Sequence, residues 1–121
     1  MDLINFLYVF ILFVFILAAF YYGCADKEKY EELKVNIVLS GQKAEIFEGE
    51  KIYFRGEATG GLPPYKYSWT FSAVMPPSSL KEPGLIAFKL EGGYKVILTV
   101  KDSNGTMNED YVHINVKRKP L

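Results

Sequence analysis

The beginning of the chain is an apolar run that no small water-soluble domain could enclose. Residues 3–23 contain no charged side chain, and Asn5 is their one strongly polar group. As a helix, this run of about 21 residues would be about 31 Å long, which matches the hydrocarbon core of a bilayer. A helix that is apolar on every side cannot be covered by the rest of so short a chain. The sequence therefore predicts a transmembrane helix within residues 1–25, with residues 3–23 in contact with membrane lipid.

A retained anchor and a cleaved signal peptide predict different features around this run. The two residues before it are not basic, and the apolar stretch is longer than a signal peptide requires. We therefore expect a retained anchor, with Tyr21 and Tyr22 at the membrane interface. Cys24 follows the run, so a lipoprotein processed after Gly23 and lipidated on Cys24 remains an alternative.

The charges after the run bear on orientation. Lys27, Lys29 and Lys34 follow it and no basic residue precedes it, so the positive-inside rule alone would place the rest of the chain in the cytoplasm. Acidic side chains are interleaved with these lysines, however, and a whole domain follows. We expect a single-pass protein of the cell membrane whose domain is extracytoplasmic, and the lysine count is the observation against this orientation.

After a charged linker at residues 26–32, the apolar pattern changes to a period of two, which is typical of β-strands. About seven short alternating segments follow, separated by turns rich in glycine, proline and asparagine. No helical period occurs among them. The sequence predicts two antiparallel sheets packed face to face over residues 33–117, with residues 118–121 as a C-terminal tail.

Two aromatic residues are predicted to be structural. Trp69 shares one face of its strand with Tyr65 and Tyr67, and it is the largest side chain expected in the core. Tyr94 begins a strand after a pair of glycines, which suits a tyrosine corner, in which the hydroxyl bonds to a nearby backbone group. We therefore interpret the tyrosines beside Trp69 as core residues rather than as a sugar-binding platform.

Two motifs resemble a known family. The stretch GGLPPYKYSW at residues 60–69 is similar to the GG-x-PPY-x-YSW stretch of PKD-type (polycystic kidney disease) immunoglobulin-like domains, and GGYKVILTVKDSNG at residues 92–105 resembles their penultimate strand and turn. The resemblance implies an all-β, Ig-like antiparallel β-sandwich that serves as a non-catalytic interaction or spacer module. The family's acidic DFGDG stretch after the tryptophan is replaced here by TFSAV at residues 70–74, so cation binding is not carried over.

Several functional classes find no support in the sequence. Basic and acidic residues both number 14, so no net charge attracts nucleic acid. The single cysteine and single histidine exclude a cysteine-rich or multi-histidine metal site within one chain. No nucleophile elbow, phosphate loop or zinc-protease motif occurs, so we expect no enzyme activity and no cofactor.

The turn around residues 102–106 offers two lesser alternatives. Asp102, Asn104, Glu109 and Asp110 could supply oxygen ligands for Ca²⁺, but aspartate and asparagine are also the residues that such a turn requires. We therefore predict no metal site. Asn104 begins an Asn-Gly-Thr sequon and is a possible glycosylation site if the domain is extracytoplasmic.

A possible contact patch lies on the predicted outer face of one sheet. Ile97 on one strand, and Tyr111 and His113 on its hairpin partner, point away from the core. The loops at residues 62–64 and 75–77 are a second candidate, because loops often carry recognition on sandwich scaffolds. We expect adhesion, envelope structure or contact with an unknown protein or glycan. An accessory subunit that binds a membrane complex through its helix is an alternative.

Overall fold

The computed structural model describes residues 2–22 and 29–121, with the side chains in these ranges except those of residues 18–22 and 42. Cys24 and residues 26–28 of the predicted linker lie outside the described residues, so the predictions made on them stay predictions.

Helix α1 spans Leu3–Tyr22 and contains neither glycine nor proline. It begins where the carbonyl of Asp2 accepts hydrogen bonds from the backbone N–H groups of Asn5 and Phe6, at 3.0 and 3.3 Å. In the parts of the chain that the structure describes, no helix combines the length and the apolarity needed to cross a membrane. The transmembrane helix predicted from the sequence is therefore not confirmed.

Among the described residues, seven strands form a sandwich of two sheets, which confirms the predicted β-sandwich. One sheet has the order β1-β3-β5 and the other has the order β2-β7-β6-β4. The bounds of the strands are β1 Lys34–Leu39, β2 Glu45–Phe47, β3 Lys51–Thr59, β4 Lys66–Thr70, β5 Gly84–Ala87, β6 Gly92–Lys101 and β7 Met107–Lys117.

The prediction that the sheets are purely antiparallel is wrong at one edge. Strand β2 pairs with β7 in parallel, with Ile46 opposite Val116. A short turn at Ser40–Gln42 carries the chain from β1 in one sheet to β2 in the other. Because β1 and β2 are joined by so short a crossing, the chain keeps its direction as it changes sheets.

The alternation of apolar and polar residues in the sequence corresponds to an alternation of buried and exposed side chains in the structure. In β6, Val96, Leu98 and Val100 are buried while Lys95 and Lys101 are exposed. In the part of the chain that the structure describes, the core consists of thirteen apolar residues drawn mainly from the inner faces of both sheets, namely Leu33, Ile46, Ile52, Phe54, Trp69, Phe71, Ile86, Phe88, Val96, Leu98, Val100, Ile114 and Val116.

An aromatic cluster lies at the centre of this core. Trp69 is fully buried and stacks on Phe71, with ring centroids 5.6 Å apart, and its edge meets Phe54 at 6.0 Å. Its indole Nε1 donates a hydrogen bond of 2.8 Å to the carbonyl of Leu80. The largest side chain of the core is therefore held by ring packing and by a satisfied polar atom.

Tyr94 links the start of β6 to the preceding loop. Its hydroxyl donates a hydrogen bond of 2.7 Å to the carbonyl of Leu90, and its ring packs edge-on against Phe88 at 5.4 Å. Ile86, Phe88 and Leu90 continue one alternation in the sequence, but of these three only Ile86 and Phe88 are buried. Strand β5 ends at Ala87, and Leu90 is 70% exposed. Its carbonyl accepts the hydrogen bond from the Tyr94 hydroxyl.

Candidate functional site

The antiparallel register of β6 and β7 places the predicted contact residues next to one another. Ile97 lies directly opposite Tyr111, and Lys95 lies opposite His113. All four alternate along their strands with residues that are buried or partly buried. We call these four residues the β6–β7 patch.

The side chains of the β6–β7 patch contact one another. The rings of Tyr111 and His113 meet edge to face, with centroids 5.6 Å apart, and Lys95 Nζ lies 4.5 Å from the centre of the Tyr111 ring. Such a cation–π contact helps to hold the ring in place. Tyr111 remains 54% exposed, whereas Ile97, its partner in the register, is half-buried. The patch therefore presents a positioned aromatic ring at the surface.

Lys95 was missed at the level of sequence, although a signal for it existed. The Asn-Gly turn between the two strands places Lys101 opposite Met107, and counting back along the hairpin pairs Lys95 with His113. The contact of Lys95 with Tyr111 is diagonal, which cross-strand geometry allows for long side chains.

Polar side chains continue the same sheet face towards β4. Ser68 lies opposite Thr99 and Thr70 lies opposite Ile97, and the side chains of Ser68 and Thr70 are exposed. The face therefore combines an aromatic ring and a cation with a row of hydroxyl groups. These groups can stack and exchange hydrogen bonds with a partner, which is the chemistry of a binding surface.

Within residues 2–22 and 29–121, the side chains do not assemble a metal site. No group of three or more His, Cys, Asp and Glu residues is close enough to hold an ion. Asp110, one of the residues considered for Ca²⁺, accepts hydrogen bonds from the backbone N–H groups of Ile37 and Tyr111 at 2.8 and 2.9 Å. Its two oxygens therefore accept hydrogen bonds from backbone groups, one on β1 and one on β7.

The carboxylate of Asp102 joins two loops at one end of the sandwich. Its Oδ2 accepts a hydrogen bond of 3.1 Å from the N–H of Leu62, and its Oδ1 accepts bonds of 2.9 Å from Asn104 and Thr106. The turn that it closes contains the sequon at Asn104, which is exposed. Glycosylation of Asn104 stays a prediction.

Burial of the Asp102 carboxyl favours its neutral form, whereas backbone N–H groups favour the charged form more strongly. The net result is a pKa below the ordinary value of 3.8, and the donors responsible are those of Leu62, Thr106, Asn104 and Gly105. The carboxylate is thus held in its charged form, in which all of its hydrogen bonds to the loops are available.

The two loops considered as a second contact site are placed differently. In the loop at residues 62–64, the carbonyl of Leu62 accepts hydrogen bonds from the N–H and the hydroxyl of Ser103 at 2.8 and 2.9 Å. In the loop at residues 75–77, Met75 packs partly buried against the core. Neither loop presents an aromatic ring, so the β6–β7 patch is the stronger candidate.

Neither a family model nor a curated protein sequence matches this chain. Solved structures do. The PKD1 domain of Vibrio anguillarum Epp is similar, with a TM-score of 0.57 and 21% identity over 75% of this chain and 100% of that one. A carbohydrate-binding module from the β-sandwich superfamily has a TM-score of 0.59 and 20% identity, over 73% of this chain and 35% of that one. This structural similarity establishes the fold alone: residues 34–117 form a two-sheet β-sandwich similar to that of the PKD1 domain.

Proposed function

We propose that this protein is a non-catalytic binding module held at the outer surface of a cell membrane, and that it contacts a protein or glycan partner through the β6–β7 patch. The observation that carries the binding role is the ring of Tyr111, which is exposed and yet positioned by Lys95. Exposed aromatic residues held in place are typical of binding hot spots, because little conformational freedom is lost on contact.

A glycan is the partner that the surrounding side chains favour. A sugar ring presents an apolar face that stacks on an aromatic ring and a rim of hydroxyls that need hydrogen-bond partners. Tyr111 supplies the ring, and the exposed hydroxyls of Ser68 and Thr70 lie on the same sheet face. The similarity in fold to a carbohydrate-binding module is consistent with this partner.

Replacing Tyr111 by glutamate is expected to weaken binding at least about tenfold, which corresponds to about 1.4 kcal/mol. The measurement is retention of the full chain, in detergent, on an array of cell-surface glycans and by membrane proteins of the producing cells. Leu85→Glu is the matched control, because Leu85 is 64% exposed on β5 of the other sheet. Wild-type retention of Tyr111→Glu, with both variants folded, would refute the role of the patch.

The membrane part of the proposal is supported by the exposure of α1. Every large apolar side chain of residues 3–17 leaves between 47% and 78% of its surface uncovered. Exposure of so much apolar surface to water is unfavourable, so such a helix needs lipid or another apolar helix around it. Lipid would make α1 an anchor, whereas a partner helix would make the protein an accessory subunit of a membrane complex.

Protease treatment of intact cells tests the location and the orientation together. We expect the sandwich to be removed while a fragment that contains residues 3–22 stays with the membrane fraction. Intact mass then distinguishes the forms of the anchor, because a chain that starts at Met1 is unprocessed, whereas a lipid adduct on Cys24 identifies a lipoprotein. Complete protection of the sandwich in cells with intact membranes would contradict the outward orientation.

A further inference from the structure

Two lysines face each other at one end of the four-stranded sheet. Lys66 is the first residue of β4, Lys101 is the last residue of β6, and the two are direct partners in the antiparallel register. Both side chains are exposed on the outer face of the sheet. Like charges directly opposite each other destabilise a sheet. Among the described residues, neither lysine forms an ion pair that would offset this repulsion.

The lysine pair borders an open cavity of about 500 Å³. The cavity is lined by Pro64, Lys66, Lys101 and the turn at residues 102–105. Asp102 is the carboxylate in this lining, and its two oxygens accept hydrogen bonds from backbone N–H groups of the adjoining loops. The two ammonium groups are therefore left to face a solvent-filled recess that is large enough for a phosphate or carboxylate group.

This cavity lies at the end of the sandwich where the chain enters from α1. The N–H of Gly61 donates a hydrogen bond of 2.7 Å to the carbonyl of Glu31, which fixes the entering chain against the loop that leads to Lys66. Helix α1 ends at Tyr22, and the eight residues from 23 to 30 span at most about 29 Å when fully extended. The end of the sandwich that carries Lys66 and Lys101 is therefore the end that the chain joins to α1, through a segment of at most this length.

We propose that Lys66 and Lys101 bind the anionic headgroups of the bilayer that holds α1, and so dock the sandwich on the membrane surface. The proposal rests on the membrane part of the proposed function. Basic side chains close to a membrane are attracted by anionic lipid, and the attraction decays within a Debye length. Glu31 and Glu32 bring negative charge to the same end, and Lys34, the first residue of β1, brings a further positive charge there.

Docking of this kind has a consequence for the β6–β7 patch. Lys101 lies at one end of β6, and Ile97, which lies opposite Tyr111, is four residues back along the same strand, about 13 Å at the rise of a β-strand. Headgroup binding at Lys101 would therefore leave the patch clear of the lipid. The two sites are compatible: one holds the sandwich down and the other stays open to a partner.

The test uses the full chain reconstituted in nanodiscs of phosphatidylcholine, with or without phosphatidylglycerol, and measures acetylation of each lysine by mass spectrometry. We expect phosphatidylglycerol to slow acetylation of Lys66 and Lys101 about fivefold each. Lys51 and Lys89 lie at the opposite end of the sandwich and serve as internal controls whose rates stay constant. Equal rates for Lys66 and Lys101 in the two kinds of disc would overturn the proposal.

Paired variants provide a second readout that does not depend on lysine chemistry. In the wild type, phosphatidylglycerol is expected to slow amide hydrogen exchange in the turn at residues 102–106. The Lys66→Gln/Lys101→Gln variant should lose this effect, whereas the charge-matched Lys51→Gln/Lys89→Gln variant should keep it. An equal effect in both variants would refute a specific role of the pair.

Two further experiments distinguish a lipid headgroup from a free anion, and a failure of docking from a failure of the chain to bind membranes at all. Inorganic phosphate that protects Lys66 and Lys101 equally well in phosphatidylcholine discs would identify a free-anion site and refute docking on lipid. A chain that does not float with neutral vesicles would refute the membrane part of the proposed function, and docking with it. A chain that floats but shows no response to phosphatidylglycerol refutes docking alone.

Discussion

Replacing Trp69 by alanine is expected to lower the free energy of unfolding by about 3–5 kcal/mol, which is much of the stability of a small domain. The side chain is fully buried between Phe54 and Phe71, so its removal leaves a cavity in the centre of the core. It also removes the donor to the carbonyl of Leu80, 2.8 Å from the indole nitrogen. The expected loss of stability therefore has three sources: the buried apolar surface that is removed, the cavity that remains and the hydrogen bond that is broken.

Chemical denaturation followed by far-ultraviolet circular dichroism measures this loss, because the variant lacks the tryptophan that fluorescence would need. Trp69→Phe is the matched control, since it keeps an aromatic ring against Phe71 and removes the indole N–H, and its loss should be clearly smaller. If Trp69→Ala unfolded at the same denaturant concentration as the wild type, the aromatic cluster would not be the centre of stability.

Replacing Asp102 by asparagine is expected to destabilise the end of the sandwich that holds the loops at residues 60–64 and 102–106. Asparagine matches Asp102 in shape but has a single acceptor oxygen. Its amide would face either the N–H of Leu62 or the N–H groups of Asn104 and Thr106, and a donor would then meet a donor. Hydrogen exchange of these loops should accelerate more than exchange in the centre of β6.

The same carboxylate predicts a dependence of stability on pH. The pKa of Asp102 is lower in the folded protein than in the unfolded chain, so the unfolded chain binds a proton first as pH falls. The contribution of Asp102 to stability is therefore complete above its ordinary pKa of 3.8 and is lost as pH falls through the lower folded value. Above pH 5 this contribution should be constant.

A comparison of unfolding midpoints at pH 6 and pH 3 checks the direction of this pH dependence. Asp102→Asn should lose less stability on acidification than the wild type, because it has no carboxylate to protonate at this position. Glu109→Gln is the charge-matched control, since Glu109 is exposed on β7. An Asp102→Asn variant with an unchanged acid dependence would show that the carboxylate does not link the loops.

The positions of the strands were predictable because alternation is a local property. In β6 the buried residues Val96, Leu98 and Val100 follow the period of two without a break, and the structure buries all three. The pattern failed at Leu90, where two apolar residues at strand spacing continue past the end of β5. Alternation cannot tell the last residue of a strand from the first residue of a loop, because both can be apolar.

The contact patch was predictable in part for the same reason. The outward positions of Ile97, Tyr111 and His113 follow from parity along their strands. The contribution of Lys95 depends on the register between β6 and β7 and on the direction that its long side chain takes towards the Tyr111 ring. The register could be counted from the turn, whereas the direction of the Lys95 side chain can be known only from the positions of both side chains.

By itself, the sequence determined the strands, the faces that each strand buries and the apolar character of residues 3–23, because these depend on the spacing of neighbouring residues. Only the tertiary structure decided that β2 pairs in parallel with β7, that Asp102 joins two loops 40 positions apart, and that Lys66 faces Lys101. The reason is physical: each of these contacts joins segments far apart in the chain, and their meeting is set by the packing of two sheets around one core, which no local pattern encodes.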